Sequence, residues 1–482
     1  MDAITERLAT VTAALDSARL AAAGWRNVAL RERLAVLRRA RRLMAARAIA
    51  LAGTLADRRP VVDTLMAEVL PLAEAARFLE REAPALLAPR RLGWLGRPLW
   101  LTGTRATILR EPCGVVLILA PSNYPLMLPG VQILQALAAG NAVCAKPAPG
   151  GTEPLAALVG LLQEAGLPDG VLALLDEDAE TGAAASRAGF DRIVLTGAAA
   201  TGQAVLRAAA ETLTPCTMEL SGNDPVFVLP GAEIALVARC LAYGLQLNGG
   251  ATCIAPRRVF VAHETAPALE AALAALLPAI PPVPVAAGPL ARLIPLLDDA
   301  AARGARVSAR PGAEGVPPIV VAGASPEMAL LQADLMAPVL AIVPVANMTE
   351  ALAAAGRCPY ALGAAVFGPE ADALALAGRI AAGSVVINDV IVPTADPRLP
   401  FGGRGRSGFG LTRGTEGLLE MTVVKTVGVR RSFRLHLDYA PDVGLAAGMI
   451  ATLHGTGATR MAGLRSMLAA ARRQPKAPGR RA

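Results

Sequence analysis

A cysteine among small residues and a glutamate 34 positions before it are the side chains of this 482-residue chain best suited to making and breaking bonds. Cys253 stands in Asn248-Gly249-Gly250-Ala251-Thr252-Cys253-Ile254-Ala255-Pro256, and Glu219 in Met218-Glu219-Leu220-Ser221-Gly222. A thiol between Gly, Ala and Thr leaves room for a substrate carbonyl, and its thiolate is the strongest nucleophile a protein offers near neutral pH. A carboxylate that activates water could then release the captured acyl group. Asn123, in Pro121-Ser122-Asn123-Tyr124-Pro125, offers a neutral amide donor suited to the oxygen of a tetrahedral adduct. Taken singly, these residues have structural explanations: free cysteine packs as a small hydrophobe, and asparagine favours turns.

Other motifs bear on binding. Lys146, in Ala145-Lys146-Pro147, follows a strand pattern, where a cation can reach the ribose hydroxyls of a dinucleotide. A surface lysine is the default, but its flanks are apolar and a lysine at a buried edge needs a partner. Leu195-Thr196-Gly197-Ala198-Ala199-Ala200-Thr201-Gly202 joins a strand to a helix, and amides at a helix N-terminus among small residues admit a pyrophosphate. Pro400-Phe401-Gly402-Gly403 with Ser407-Gly408 reads as a turn supporting a wall of the site, and Asn388 as a wall residue.

Together the motifs resemble those of the aldehyde dehydrogenase superfamily, in particular its class-3-like branch, with cysteine motif Gly-Gln-Thr-Cys-Ile-Ala-Pro and glutamate motif Glu-Leu-Gly-Gly. The resemblance runs from about residue 15 to residue 435 and includes the 23-residue spacing from Asn123 to Lys146. It implies NAD(P)-dependent oxidation of an aldehyde to a carboxylic acid through a cysteine thiohemiacetal and thioester. Cys253, Glu219 and Asn123 would be catalytic. Lys146, Pro121, Thr196, Gly197, Gly202 and Asp334 would bind NAD or NADP, with Asp334-Leu335-Met336-Ala337-Pro338-Val339 standing for Glu-Ile-Phe-Gly-Pro-Val. No metal is implied, and a homodimer or higher homo-oligomer is. Ser122, Pro149, Ala198, Ala251, Asp334 and Met336 depart from the pattern. Pro149 stands where NAD-preferring relatives carry Glu, so the resemblance implies use of NADP at least comparable to NAD. Two alternatives stay open: a CoA-dependent or reductive acyl enzyme on the same fold, against which Glu219 argues, and a catalytically impaired scaffold or binding protein.

The elements that must position these residues are legible in outline. Residues 5–58 and 65–87 have helical periodicity, and 90–109 reads as short strands. Strand patterns at 114–119, 142–145 and 192–195 alternate with helical ones at 129–139, 154–165 and 203–213, which implies a parallel sheet covered on both faces. The expected fold is α/β and aldehyde dehydrogenase-like: two parallel-sheet lobes plus a small interface β excursion. Residues 1–86 and 108–219 form the Rossmann-like dinucleotide-binding domain, 220–411 the thiol domain, 87–107 and 412–438 the interface strands, and 439–482 a basic tail.

Composition narrows the function classes. With 54% apolar residues the chain can build a large core, yet no apolar run reaches the roughly 18 residues needed to span a bilayer. Six scattered cysteines without a CxxC pair fit a reducing compartment, and the chain reads as cytoplasmic. His263, His436 and His454 have no motif around them. The net charge of +8 is concentrated in residues 440–482, which carry +6, and aromatics make up only 3%, so nucleic-acid binding is not expected. Scarce aromatics and apolar surroundings point to an aliphatic aldehyde. The tail reads as a weak helix with a disordered end. Met461, Leu464, Met467 and Leu468 at helical spacing beside arginines offer contact with an anionic membrane as an alternative to a solvated helix.

Overall fold

Two runs of β-branched and aliphatic strands each find partners on both sides and build two largely parallel sheets. The computed structural model describes residues 3–98, 101, 103–431 and 443–473. In the first sheet, Leu172–Leu174, Ala142–Lys146, Val115–Leu119, Arg192–Gly197 and Cys216–Leu220 lie side by side, and Gly408–Phe409 closes the edge antiparallel to the last of these. The chain order reverses between Val115–Leu119 and Arg192–Gly197, and the crevice at the carboxyl ends of such neighbours is where ligands bind in open α/β sheets. The helix Met127–Ala139 that leaves the first of these strands is buried along all 13 residues and carries no charge, so it serves as core.

The second sheet has seven strands in the order Arg306–Val307, Ile319–Ala322, Val339–Val345, Pro256–Ala262, Asp224–Val228, Gly363–Phe367 and Ser384–Ile387. Only the Arg306–Val307 edge is antiparallel. Separate apolar clusters fill its two faces, one around Phe260, Leu293 and Val339 and one around Val259, Leu241 and Leu269. A third sheet joins Arg90–Arg91, Thr104–Pro112 and Thr422–Arg430, so the excursion does pair with the late strand. By contact density the chain divides into one unit of residues 1–88 and 110–425 and another of 89–109 and 426–482.

Several expectations change. The N-terminal helical stretch is three helices, Ala3–Trp25, Leu30–Ala46 and Ala48–Gly53. The next is a continuous helical run that starts earlier than expected, Val61–Thr64, then a π-helical turn Leu65–Val69, then Leu70–Leu86, with Pro71 just after the π turn. The strand Cys216–Leu220, which bears Glu219, and the helix Ala179–Ala185 have patterns too short to be read from periodicity. The tail forms two helices instead of one, Val443–His454 and Gly457–Arg473. Residues 432–438 of the expected interface segment and the end of the tail from residue 474 lie outside the described residues.

Candidate active site

The loop before Cys253 is held in an unusual backbone shape. Asn248, Gly249 and Gly250 have φ of 50°, 59° and 70°, three successive left-handed residues. A Cβ on Gly250 would lie 2.6 Å from Pro338 Cα, so this glycine is required by close backbone packing. Buried Arg257 ties the loop down, donating to the carbonyls of Gly250, Ala337 (2.5 Å) and Val339 (3.1 Å). Cys253 as a residue is half-buried.

Three hydrogen bonds bring the Asn123 turn to this loop. The Asn123 amide donates to Ala251 O (3.0 Å), Asn248 donates to Asn123 O (3.0 Å), and the Tyr124 and Thr252 hydroxyls share a proton at 2.7 Å. Asn123 Oδ1 accepts from the Tyr124 N–H, which fixes the amide orientation. One of its two amide hydrogens is thus engaged two residues from Cys253, and the other is available to an oxyanion.

Glu219 reaches the same place from the first sheet. Its motif ends in Gly222, where a Cβ would stand 2.7 Å from Cys253 O, so the absence of a side chain there lets the glutamate segment rest on the thiol segment. Glu219 is 2% exposed; Oε2 accepts from Thr412 Oγ1 (2.9 Å), and Oε1 has no partner. Burial raises its carboxyl above the ordinary range, opposed by the Arg413 cation and the Thr412 bond. Burial likewise raises the Cys253 thiol, the charges of Glu219 and Asp224 add to this, and Arg413 opposes it. Asp224, buried beside Gly222 and Gly363, is pushed up to about 8 by the same loss of water.

Thr412 and Arg413 were not foreseen. Arg413 is buried, has φ of 59°, donates to Thr394 O (2.8 Å) and stacks its guanidinium 4.2 Å from the Phe401 ring, while its Nε has no partner. The one available signal was the glycine-rich stretch before them. Gly408 pairs with Glu219 across the sheet edge, and a Cβ on Gly408 would lie 1.9 Å from Met218 O. That stretch is therefore the strand that seals Glu219, in addition to being a turn. Asn388, by contrast, is exposed and bonds both ways to the Gly368 backbone at 2.9 Å.

A buried ion pair supports the Asn123 turn from behind, and nothing in the sequence pattern marked it. Glu68, fully buried on the π-helical turn, accepts from the N–H groups of Leu126 (2.7 Å) and Met127 (2.8 Å), where a carboxylate also suits the positive end of the following helix. Arg59 pairs with Glu68, donates to Asn123 O (3.2 Å) and lies over the Tyr124 ring at 5.4 Å.

A cleft of about 410 Å³ opens at the strand ends where the first sheet reverses order. Pro121, Lys146, Pro149, Thr196 and Gly197 line it, whereas Gly202 and Asp334 are not among its lining residues. Gly202 is buried under the Leu220 side chain, 2.8 Å from where its Cβ would be, so it serves close packing of helix on strand. Asp334 keeps a buried oxygen, Oδ1, without a partner. Lys146 Nζ donates to Glu177 O (2.7 Å), and burial lowers its pKa against the opposing charges of Asp178, Glu177 and Glu180. The Glu177 carboxylate is held by Thr152 Oγ1 at 2.6 Å, three positions beyond Pro149. Among the described residues no group of His, Cys, Asp and Glu could hold a metal ion.

Known proteins are similar to this chain in sequence and fold. The model of the aldehyde dehydrogenase family matches residues 4–427. The 4,4'-diapolycopene aldehyde oxidase of a Methylomonas species is 30% identical over 425 residues, 85% of this chain and 79% of that protein. A crystal structure of a Mycobacterium tuberculosis aldehyde dehydrogenase complexed with NAD+ superposes with a TM-score of 0.82 at 27% identity, covering 89% of this chain and 92% of that one. An NADP-dependent glyceraldehyde-3-phosphate dehydrogenase from Bacillus halodurans C-125, complexed with NADP, does so with a TM-score of 0.81 at 27% identity, covering 88% and 92%. With its thiol loop, buried glutamate and strand-end cleft in one unit, the chain belongs to the aldehyde dehydrogenase family.

Proposed function

We propose that the chain oxidises an aldehyde to its carboxylic acid, with NAD or NADP as acceptor and Cys253 as nucleophile. The observation that carries this is the close approach of Gly222 to the Cys253 carbonyl, which brings a buried glutamate with one free oxygen to the thiol segment. The residues of the cleft fit a dinucleotide: Lys146 and Thr196 stand at the ends of strands on either side of Val115–Leu119, and small side chains leave room for phosphates. When bound, the dinucleotide supplies the two-electron acceptor for the thiohemiacetal.

The sulfur of Cys253 attacks the carbonyl carbon, and the resulting oxyanion is held by the second amide hydrogen of Asn123 and the Cys253 backbone N–H. The thioester left after oxidation is opened by water, whose proton passes to Glu219 Oε1. Glu219 supports release to water in preference to transfer to a second thiol. Scarce aromatics favour an aliphatic aldehyde, and Pro149, with no acceptor on its side chain, leaves room for the 2′-phosphate of NADP.

Two variants test the reading. Cys253→Ala is expected to abolish aldehyde oxidation. Glu219→Gln is expected to acylate normally and then stall, so intact-protein mass spectra should show a stoichiometric acyl adduct. Turnover by the first variant would overturn the mechanism, and an unchanged steady-state rate in the second would remove Glu219 from the role of base.

A further inference from the structure

The C-terminal hairpin is packed in the reverse of what water favours. Its helices, Val443–His454 and Gly457–Arg473, meet along small residues: a Cβ on Gly448 would lie 2.8 Å from Met467 N, one on Gly463 would lie 2.6 Å from Ala451 Cβ, and Ser466 Oγ donates to Gly444 O at 3.2 Å. Leu445, Met449, Leu453 and Met467 are half-buried, but five further large apolar side chains point outward. Val443 is 87% exposed and Ile450 62%, seven positions apart on one stripe, and Met461, Leu464 and Leu468 form a second exposed stripe. A hairpin folded for water would bury those side chains, whereas helices that associate in lipid do so through small residues and leave large ones outside.

Charge points to the same partner. From residue 443 to 482 the sequence holds seven Arg and Lys and no Asp or Glu. Arg460 and Arg465 flank the Met461, Leu464 and Leu468 stripe. The segment has no Phe, Tyr or Trp on which a nucleic-acid base could stack. No helix among the described residues is long and apolar enough to cross a membrane. The family match ends at residue 427, so the hairpin lies outside the part shared with the family model.

We propose that this hairpin docks the protein on an anionic membrane surface, lying in the headgroup plane with its outward Val, Ile, Met and Leu side chains among the acyl chains and its arginines at lipid phosphates. This holds whatever the reaction catalysed, and of the two readings of the tail it takes the one on lipid.

Flotation of the full-length protein with vesicles tests it, using phosphatidylcholine alone and phosphatidylcholine with about one third phosphatidylglycerol. Binding is expected to the anionic vesicles only and to fall with salt. Arg460→Glu with Arg465→Glu should weaken it at least about tenfold, and Ile450→Ser with Leu464→Ser and Leu468→Ser should weaken it at low salt as well. All five positions are exposed, and circular dichroism with the aldehyde-oxidation rate checks that the fold is kept. Absence of binding, equal binding to neutral vesicles, or binding indifferent to both variants would overturn the proposal. So would an apolar variant that halves the mass in light scattering without any vesicle binding, since the face would then be covered by a second copy. Binding to single-stranded RNA lost only in the arginine variant, without lipid binding, would also overturn it.

Discussion

The thiol pocket and the strand-end cleft both draw on the first sheet yet treat charge differently. Around Cys253, Glu219 keeps a free oxygen, Arg413 a free Nε, and Arg413 and Asn248 have left-handed backbones. At the cleft, Lys146 donates to the Glu177 carbonyl, and the Glu177 carboxylate beyond the lining accepts from Thr152. A buried polar atom without a partner costs about 1–3 kcal/mol; Glu219 and Arg413 bear that cost beside the thiol, as Arg33, Arg59, Gln132, Arg192 and Asp334 bear it elsewhere in the fold. Groups held ready for a transition state cannot also be satisfied in the resting protein.

The widest test of this contrast is Asn123→Ala, which is expected to lower kcat by about 10²–10³ if the amide holds the oxyanion. A loss confined to KM would move Asn123 to simple substrate contact. Arg413→Gln comes next. Glu219 and Cys253 both have raised pKa values and both act deprotonated, so activity should rise with pH, and Arg413 opposes both shifts. Removing it should move the rising limb to higher pH and cost about tenfold at neutral pH. A pH profile identical to the wild type would show that Arg413 only packs on Phe401.

Glu68→Gln probes the support behind the Asn123 turn. Leaving Arg59 buried without its partner should cost about 3–5 kcal/mol of stability and, by loosening the turn, several-fold in kcat with KM little changed. Thermal denaturation alongside kinetics distinguishes the roles: lower stability at full kcat would make the pair purely structural. The smallest effect is expected at the cleft. Pro149→Glu should shift preference toward NAD, read as kcat/KM for both cofactors in both proteins. A wild-type preference for NAD above about tenfold, or roughly 1.4 kcal/mol, would show that another acceptor, with Glu177 the nearest candidate, already serves the ribose.

The two regions also differ in how far they could be read from sequence. Cys253, Asn123 and Lys146 announce themselves because each sits in a short segment whose turn residues and flanking strands are local features. The alternation of strands and helices between 114 and 213 was legible for the same reason, since period and length are properties of contiguous residues. Asp334 and Gly202 were harder, because resemblance assigns a role to a position and cannot say what the side chain touches. Gly202 meets Leu220, and Asp334 is left with an unpartnered oxygen.

What the sequence by itself determined is therefore the inventory of reactive groups, the two-lobed α/β plan and the family. Tertiary structure alone decided the electrostatics of the site. Thr412 and Arg413 meet Glu219 from 193 and 194 positions away, and Glu68 supports Asn123 from a helical stretch that looked like ordinary core. It also decided which face of the C-terminal hairpin turns outward, since helical spacing places a stripe without saying what covers it. The physical reason is common to all three: backbone preference is a local quantity, whereas a pKa, a satisfied hydrogen bond or a buried face depends on whatever the fold brings alongside.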